Sequence, residues 1–227
     1  MNNEEKIVKE EIRREFQLER MILFSDAVFA IVITLMAIDL RIPHGTETQS
    51  PDELLRALID LIPIFFAYAG SFAFIGATWY HHLRMFSVLK DYDKGLVVRN
   101  MVLLFTIGLF PFSANLVSRV ANGMFLPVAI YIFIVLACSF TQLWLQRYVL
   151  IKRPQLRLQP AGPEEIKRYR VSRAVTYGMI IVFFLVTITF FSIKDVHMKS
   201  IAWWWFMIFP LLMKIFKRRI ENGKMKQ

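Results

Sequence analysis

Long apolar runs, separated by charged or proline-containing segments, set the pattern of the chain. Six of them fall at roughly residues 21–41, 57–82, 97–118, 124–146, 173–193 and 200–216. Each is near the ~20 residues that an α-helix needs to cross a hydrocarbon core. The runs are continuous and lack period-two alternation, which excludes an outer-membrane barrel. The pattern predicts an all-α integral membrane protein with six transmembrane helices. The last run, SIAWWWFMIFPLLMKIF, is short and holds Pro210, so it is expected to kink or to span only partly.

The polar segments complete the plan. Residues 1–20 are mostly charged, with Ile7, Ile12, Phe16 and Leu18 as sparse apolar contacts, and read as a cytoplasmic lead-in helix running into the first span. A single transmembrane domain is expected over 21–216, followed by a basic cytoplasmic tail over 217–227. Ser50-Pro51-Asp52-Glu53 places a cap and a helix-favouring proline before the second span. Pro154, Pro160, Gly162 and Pro163 mark a long inner loop. The first span is expected to stay in the mature protein, because it is of spanning length and no small-residue cleavage site follows it. The two sets of three spans show no internal repeat: the second half has no counterpart of FSDAVFA.

Composition agrees: 56% of the 227 residues are hydrophobic and 15% aromatic, against about 45–50% apolar in a soluble domain. The net charge of +10 would suit nucleic acid, but its distribution points elsewhere. With the N-terminus inside, 23 of the Lys and Arg residues fall in inner segments and five (Arg41, Arg56, Arg119, Lys194, Lys199) in outer ones. This bias places both termini in the cytoplasm and makes topology the reason for the basic balance. Cys138, the only cysteine, lies within the fourth span, permits no internal disulfide and reads as a packing residue.

Asp26 carries the sharpest chemical signal, because it is an ionisable group inside an apolar run, where charge is costly and demands a partner or a role. Span one enters from the cytoplasm, span two returns to it and span three leaves it again. Asp26, Trp79, His82 and Asn100 therefore share one cytoplasmic depth, and with Ser25 and Arg20 are expected to form a hydrogen-bonded cluster between three helices. The cluster reads as a structural clasp; a proton or cation site and catalysis are the alternatives. Metal is disfavoured at His81-His82, since adjacent helical residues point about 100° apart. His44 and His197 stand in outer loops without ligand-spaced companions. No glycine-flanked serine stands beside a base, so no enzyme is expected.

Past Asp26 the first span places Ile31, Leu35 and Ile38 on one stripe at i, i+4 and i+7, flanked by Thr34. Spacing alone makes such a stripe ordinary helix packing or lipid contact.

Arg20-x-x-x-Phe24-Ser25-Asp26, followed by AVFAIVITLMAIDLRIP, resembles the signature of the prokaryotic transmembrane protein 175 family of potassium channels. Trp79-x-x-His82 with Phe86, Asn100, and Pro111-Phe112 extend the resemblance over most of residues 20–115. The resemblance implies a homotetramer of six-span subunits in the plasma membrane of a prokaryote, with first helices surrounding a central potassium pathway. Its constrictions would map onto Ile31, Leu35 and Ile38, with Thr34 matching a threonine linked to potassium preference. Arg20, Phe24, Ser25, Asp26, Trp79, His82 and Asn100 would match the network that holds the pore helix. No cofactor, no bound metal and no nucleic acid are implied; the partners would be other copies of the chain, the bilayer and the permeant potassium ion.

Neither a TVGYG filter nor an arginine-studded span is present in the sequence. Rings of apolar side chains can gate by closing or dewetting but cannot replace a hydration shell, so the expected preference for potassium over sodium is modest. The competing reading is a proton-coupled secondary transporter titrating Asp26 and His82; a membrane enzyme or a structural scaffold ranks behind it.

Overall fold

The computed structural model describes residues 3–38, 51–119 and 125–192. These fold as α1 (Asn3–Ile38), α2 (Pro51–Phe86), α3 (Lys94–Gly108), α4 (Phe110–Arg119), α5 (Phe125–Arg147) and α6 (Pro163–Ser192). A π-helical turn, Tyr148–Lys152, and a 3-10 turn, Pro154–Leu156, follow α5. Among the described residues the only β pairing is an isolated bridge between Leu89 and Arg157. The sixth expected span, the tail over 217–227, Cys-free outer segments holding His44 and His197, and Ser50 lie outside the described residues.

By length and composition, four described stretches are apolar enough to cross a membrane: Val8–Ile38, Lys94–Val117, Leu126–Lys152 and Pro163–Phe190. The second expected run is helical throughout within α2 without joining those four. The lead-in and first span form one uninterrupted helix of 36 residues, about 54 Å long at 1.5 Å per residue. α2 starts at Pro51, where a fixed φ and a missing N–H suit the first helical turn.

The third expected span is divided. α3 stops at Gly108 and α4 restarts at Phe110. Pro111 explains the break: it offers no N–H to the carbonyl of Ile107, and its ring would collide with that carbonyl in a continuous helix. The N–H of Leu109 bonds instead to Thr106 O at 3.3 Å, a tighter last turn. The break turns Phe110 inward, where it is buried, stacked on Phe74 at 5.4 Å between centroids and edge-on to Tyr131.

α1 packs on α2, α3 and α4, while α5 packs on α3, α4 and α6 and touches α2. The core between them is apolar: Phe29, Val32 and Met36 of α1 meet Ile75, Phe86, Leu103, Ile107, Cys138 and Leu145. Two hydroxyl pairs cross it, Ser71 with Tyr131 at 2.7 Å and Thr106 with Thr141 at 3.2 Å. The segments expected on the inner side gather at one end. Arg14 of α1 pairs with Asp91 at 3.3 Å, the N–H of Lys90 bonds to Leu156 O and that of Leu158 to Val88 O, both at 2.9 Å. The lead-in helix and the two loops expected on the inner side thus share one end of the bundle.

Candidate functional site

α1 has two faces of opposite character. Leu18, Ser25, Phe29, Val32 and Met36 are buried, at steps of three, four and seven that keep them on one side of the helix. Facing away, Ile31, Leu35 and Ile38 are 56%, 46% and 50% exposed, with Leu23 and Phe24 continuing the stripe toward the N-terminus. Thr34 is exposed beside them, and its hydroxyl donates back to Ala30 O at 3.1 Å and Ile31 O at 2.9 Å. Its oxygen is left as the acceptor on that face.

Behind the stripe, side chains of three helices form two short hydrogen-bonded branches. In the first, Asn100 Nδ2 donates to Ser25 Oγ at 2.8 Å, and Ser25 Oγ donates to Met21 O at 2.8 Å. The Asn100 carboxamide oxygen can only accept, so His82 Nε2, 2.9 Å away, carries the proton. Ser25, His82 and Asn100 are all buried. The imidazole lies flat on Phe86, 4.1 Å between centroids, and tilted against Phe29 at 5.5 Å. Its Nδ1 is buried with no hydrogen-bond partner. In the second branch Trp79 Nε1 donates to Asp26 Oδ1 at 2.9 Å.

The sequence explains this geometry. Ser25 and Asp26 are adjacent and therefore about 100° apart on α1, one reaching α3 and the other α2. Trp79 and His82 are three residues apart, on one side of α2, where both meet α1. Two expected members stay out of the network. Arg20 is exposed, its guanidinium 5.9 Å above the Phe16 ring, and Phe24 is exposed on the outer stripe. Five and one positions before Ser25, they point away from the buried side by helical phase alone. Asp26 and His82, paired in the transporter reading, sit in separate branches with different partners.

A second cluster, not anticipated from the sequence, ties α3 to the end of α5. The Arg99 guanidinium lies 3.9 Å from the ring centroid of Tyr148 and 4.6 Å from that of Trp144, and donates to Gly95 O at 2.8 Å. Asp93 caps α3 by accepting from the N–H of Leu96 at 2.7 Å, as N-cap aspartates do. It also accepts from the Tyr148 hydroxyl at 2.6 Å and faces Arg153 at 3.6 Å. Gly95 makes the contact possible, since a Cβ there would run into the Tyr148 hydroxyl. The available signal was Arg99 itself, a charge at the start of an apolar run, which topology had already accounted for. Among the described residues no group of three or more His, Cys, Asp or Glu is arranged to hold a metal.

Comparison with known proteins places this arrangement. Residues 20–111 match the family described as the endosomal/lysosomal potassium channel TMEM175. A protein of Streptomyces collinus named as a potassium channel is 31% identical over 130 residues, 55% of this chain and 62% of that one. The endosomal/lysosomal proton channel TMEM175 of Gallus gallus is 34% identical over 109 residues, 46% of this chain and 22% of that one. The chain thus spans less than two thirds of either relative. The crystal structure of a lysosomal potassium-selective channel TMEM175 homolog from Chamaesiphon minutus superposes with a TM-score of 0.65 at 23% identity, covering 90% of this chain and 98% of that one. Residues 20–111, which hold the exposed stripe and both branches of the network, are the part of the chain that matches the TMEM175 family, and the chain shares the all-helical fold of the Chamaesiphon minutus homolog.

Proposed function

We propose that the chain is one subunit of a potassium-selective channel, a homotetramer whose first helices surround the permeation path. The observation that carries this reading is the two-faced α1. Three branched apolar side chains, Ile31, Leu35 and Ile38, are exposed along a helix held from other sides by a buried hydrogen bond to α3 and an exposed one to α2. A polar clasp on one side gives the helix a fixed rotation, and a fixed rotation is what a ring of constricting side chains requires. The relatives named as potassium channels support the choice of ion.

In this reading each apolar ring excludes water when narrow and passes ions when it widens. Thr34, whose oxygen is the polar group on that face, offers the acceptor nearest the constriction. Selectivity for potassium over sodium is modest because side chains without oxygen cannot replace lost hydration. Six spans and a prokaryotic plasma membrane complete the proposal, with cytoplasmic termini supported by the 23-to-5 distribution of basic residues.

The test is flux from liposomes holding the purified chain, potassium against sodium, with Ile31→Asn alongside. Non-saturating, potassium-preferring flux that the variant alters in rate or selectivity is the expected result. Near-perfect selectivity would overturn the apolar-ring mechanism. The competing reading, proton-coupled transport through Asp26 and His82, predicts flux that saturates and stops without a proton gradient; that result would favour it and return Ile31 to a packing role.

A further inference from the structure

The outer surface of α6 grades from cation to aromatic to hydrocarbon. Arg170, Arg173, Tyr177, Ile181, Phe184 and Ile188 are all exposed, and their spacing of three and four residues makes them one stripe along the helix. α5, which packs against α6, repeats the pattern: Leu126, Phe133 and Phe140 are exposed at steps of seven, and the next step is the exposed Arg147. Both helices belong to candidate membrane spans. Both carry their arginines at the end where the inner loop joins them.

These arginines are not spent within the chain. Among the described residues none of the three forms an ion pair with an acid. The nearby acids are taken, Glu165 by Arg157 at 2.7 Å and Glu164 by Lys167 at 4.0 Å. Arg173 lies 5.8 Å over the Tyr169 ring, which leaves its guanidinium edge open to an anion. A guanidinium fork matches phosphate oxygens, a tyrosine one turn deeper suits the headgroup boundary, and the apolar remainder suits an acyl chain.

We propose that Arg170 and Arg173 bind the phosphate of an anionic phospholipid of the inner leaflet, whose acyl chain lies along Tyr177, Ile181, Phe184 and Ile188. A soluble phosphate would use the arginines and leave the stripe idle; the continuity of the two selects a lipid. The proposal rests on α6 crossing the membrane and not on conduction, so it stands or falls without any flux measurement.

The experiment is native mass spectrometry of the full chain in detergent, titrated with dioleoyl phosphatidylglycerol and, separately, dioleoyl phosphatidylcholine. Phosphatidylglycerol should be retained in preference. Arg170→Gln and Arg173→Gln should each weaken it about five-fold, the effect of one basic residue at an anionic surface, and the pair by more than either alone. Arg168→Gln, about 160° round the helix from Arg170, should leave retention unchanged. Arg170→Lys with Arg173→Lys, which keeps the charge and loses the fork, should retain more than the Gln pair, which separates lost binding from lost folding. Equal retention of the two lipids, undiminished retention by the Gln pair, or displacement by equimolar glycerol phosphate would overturn the proposal. So would a Gln pair that changes the number of subunits, since the stripe would then be a contact between copies.

Discussion

Asn100 holds the clasp together because its carboxamide answers a hydroxyl on one helix and an imidazole on another at the same time. Asn100→Leu leaves the His82 N–H without an acceptor in a buried site. A lost interhelical bond in a membrane costs about 1 kcal/mol and an orphaned buried donor up to about 3; a drop of that size should appear in detergent unfolding, and an unchanged midpoint would mean the bonds are idle. At Asp26 the charge and the acceptor can be separated. Asp26→Asn keeps an oxygen for the Trp79 indole, whereas Trp79→Phe removes the donor. If the pair is a clasp, Trp79→Phe should lower expression and stability more than Asp26→Asn; if conductance changes in Asp26→Asn while the fold is unaltered, Asp26 belongs to the permeation path. Gly95→Ala should cost about 1–3 kcal/mol by overpacking against Tyr148, and adding Tyr148→Phe should recover part of it, because the hydroxyl is the nearest atom to the new methyl.

At the scale of elements, the divided third span and the two-faced first helix are the informative features. Pro111 costs α3–α4 a hydrogen bond but delivers Phe110 to Phe74 and Tyr131. Pro111→Ala removes a helix breaker worth about 3 kcal/mol, yet by letting the helix continue it should withdraw Phe110 from that aromatic contact. Loss of thermal stability despite the gain in propensity is the expected result; a rise would show that the break has no packing role. α1 follows a different logic. Its lipid-like composition does not distinguish its sides, and the core packing of Phe29, Val32 and Met36 together with the hydrogen bonds from α2 and α3 decides which residues are left exposed.

For the whole molecule, the inner-side contacts join three segments far apart in sequence, the lead-in helix, residues 87–93 and residues 148–162. In the proposed topology an even number of crossings separates each from the next. Cysteines introduced as Lys90→Cys and Arg168→Cys, both at exposed positions, should be labelled by impermeant thiol reagents from the cytoplasmic side alone. The native Cys138 is fully buried and gives little background. Labelling from opposite sides would break the topology.

How much was legible in advance depends on the range of the interaction. Hydropathy and charge placement act along the chain, so the helical state of the five apolar runs within the described residues, the meeting of Asp26 with Trp79 and of His82 with Asn100, and the recurrence of Ile31, Leu35 and Ile38 were all readable from order and spacing. Arg20, expected in the network from its depth, and Phe24, expected there from the motif, are both turned outward by helical phase. Which bonds close within the network, that the aspartate and histidine lie in separate branches, and that Arg99 is sandwiched by Trp144 and Tyr148 depend on how far each helix is rotated and where it crosses its neighbours. Those quantities are set by side chains meeting across the bundle, so only the tertiary structure decided them.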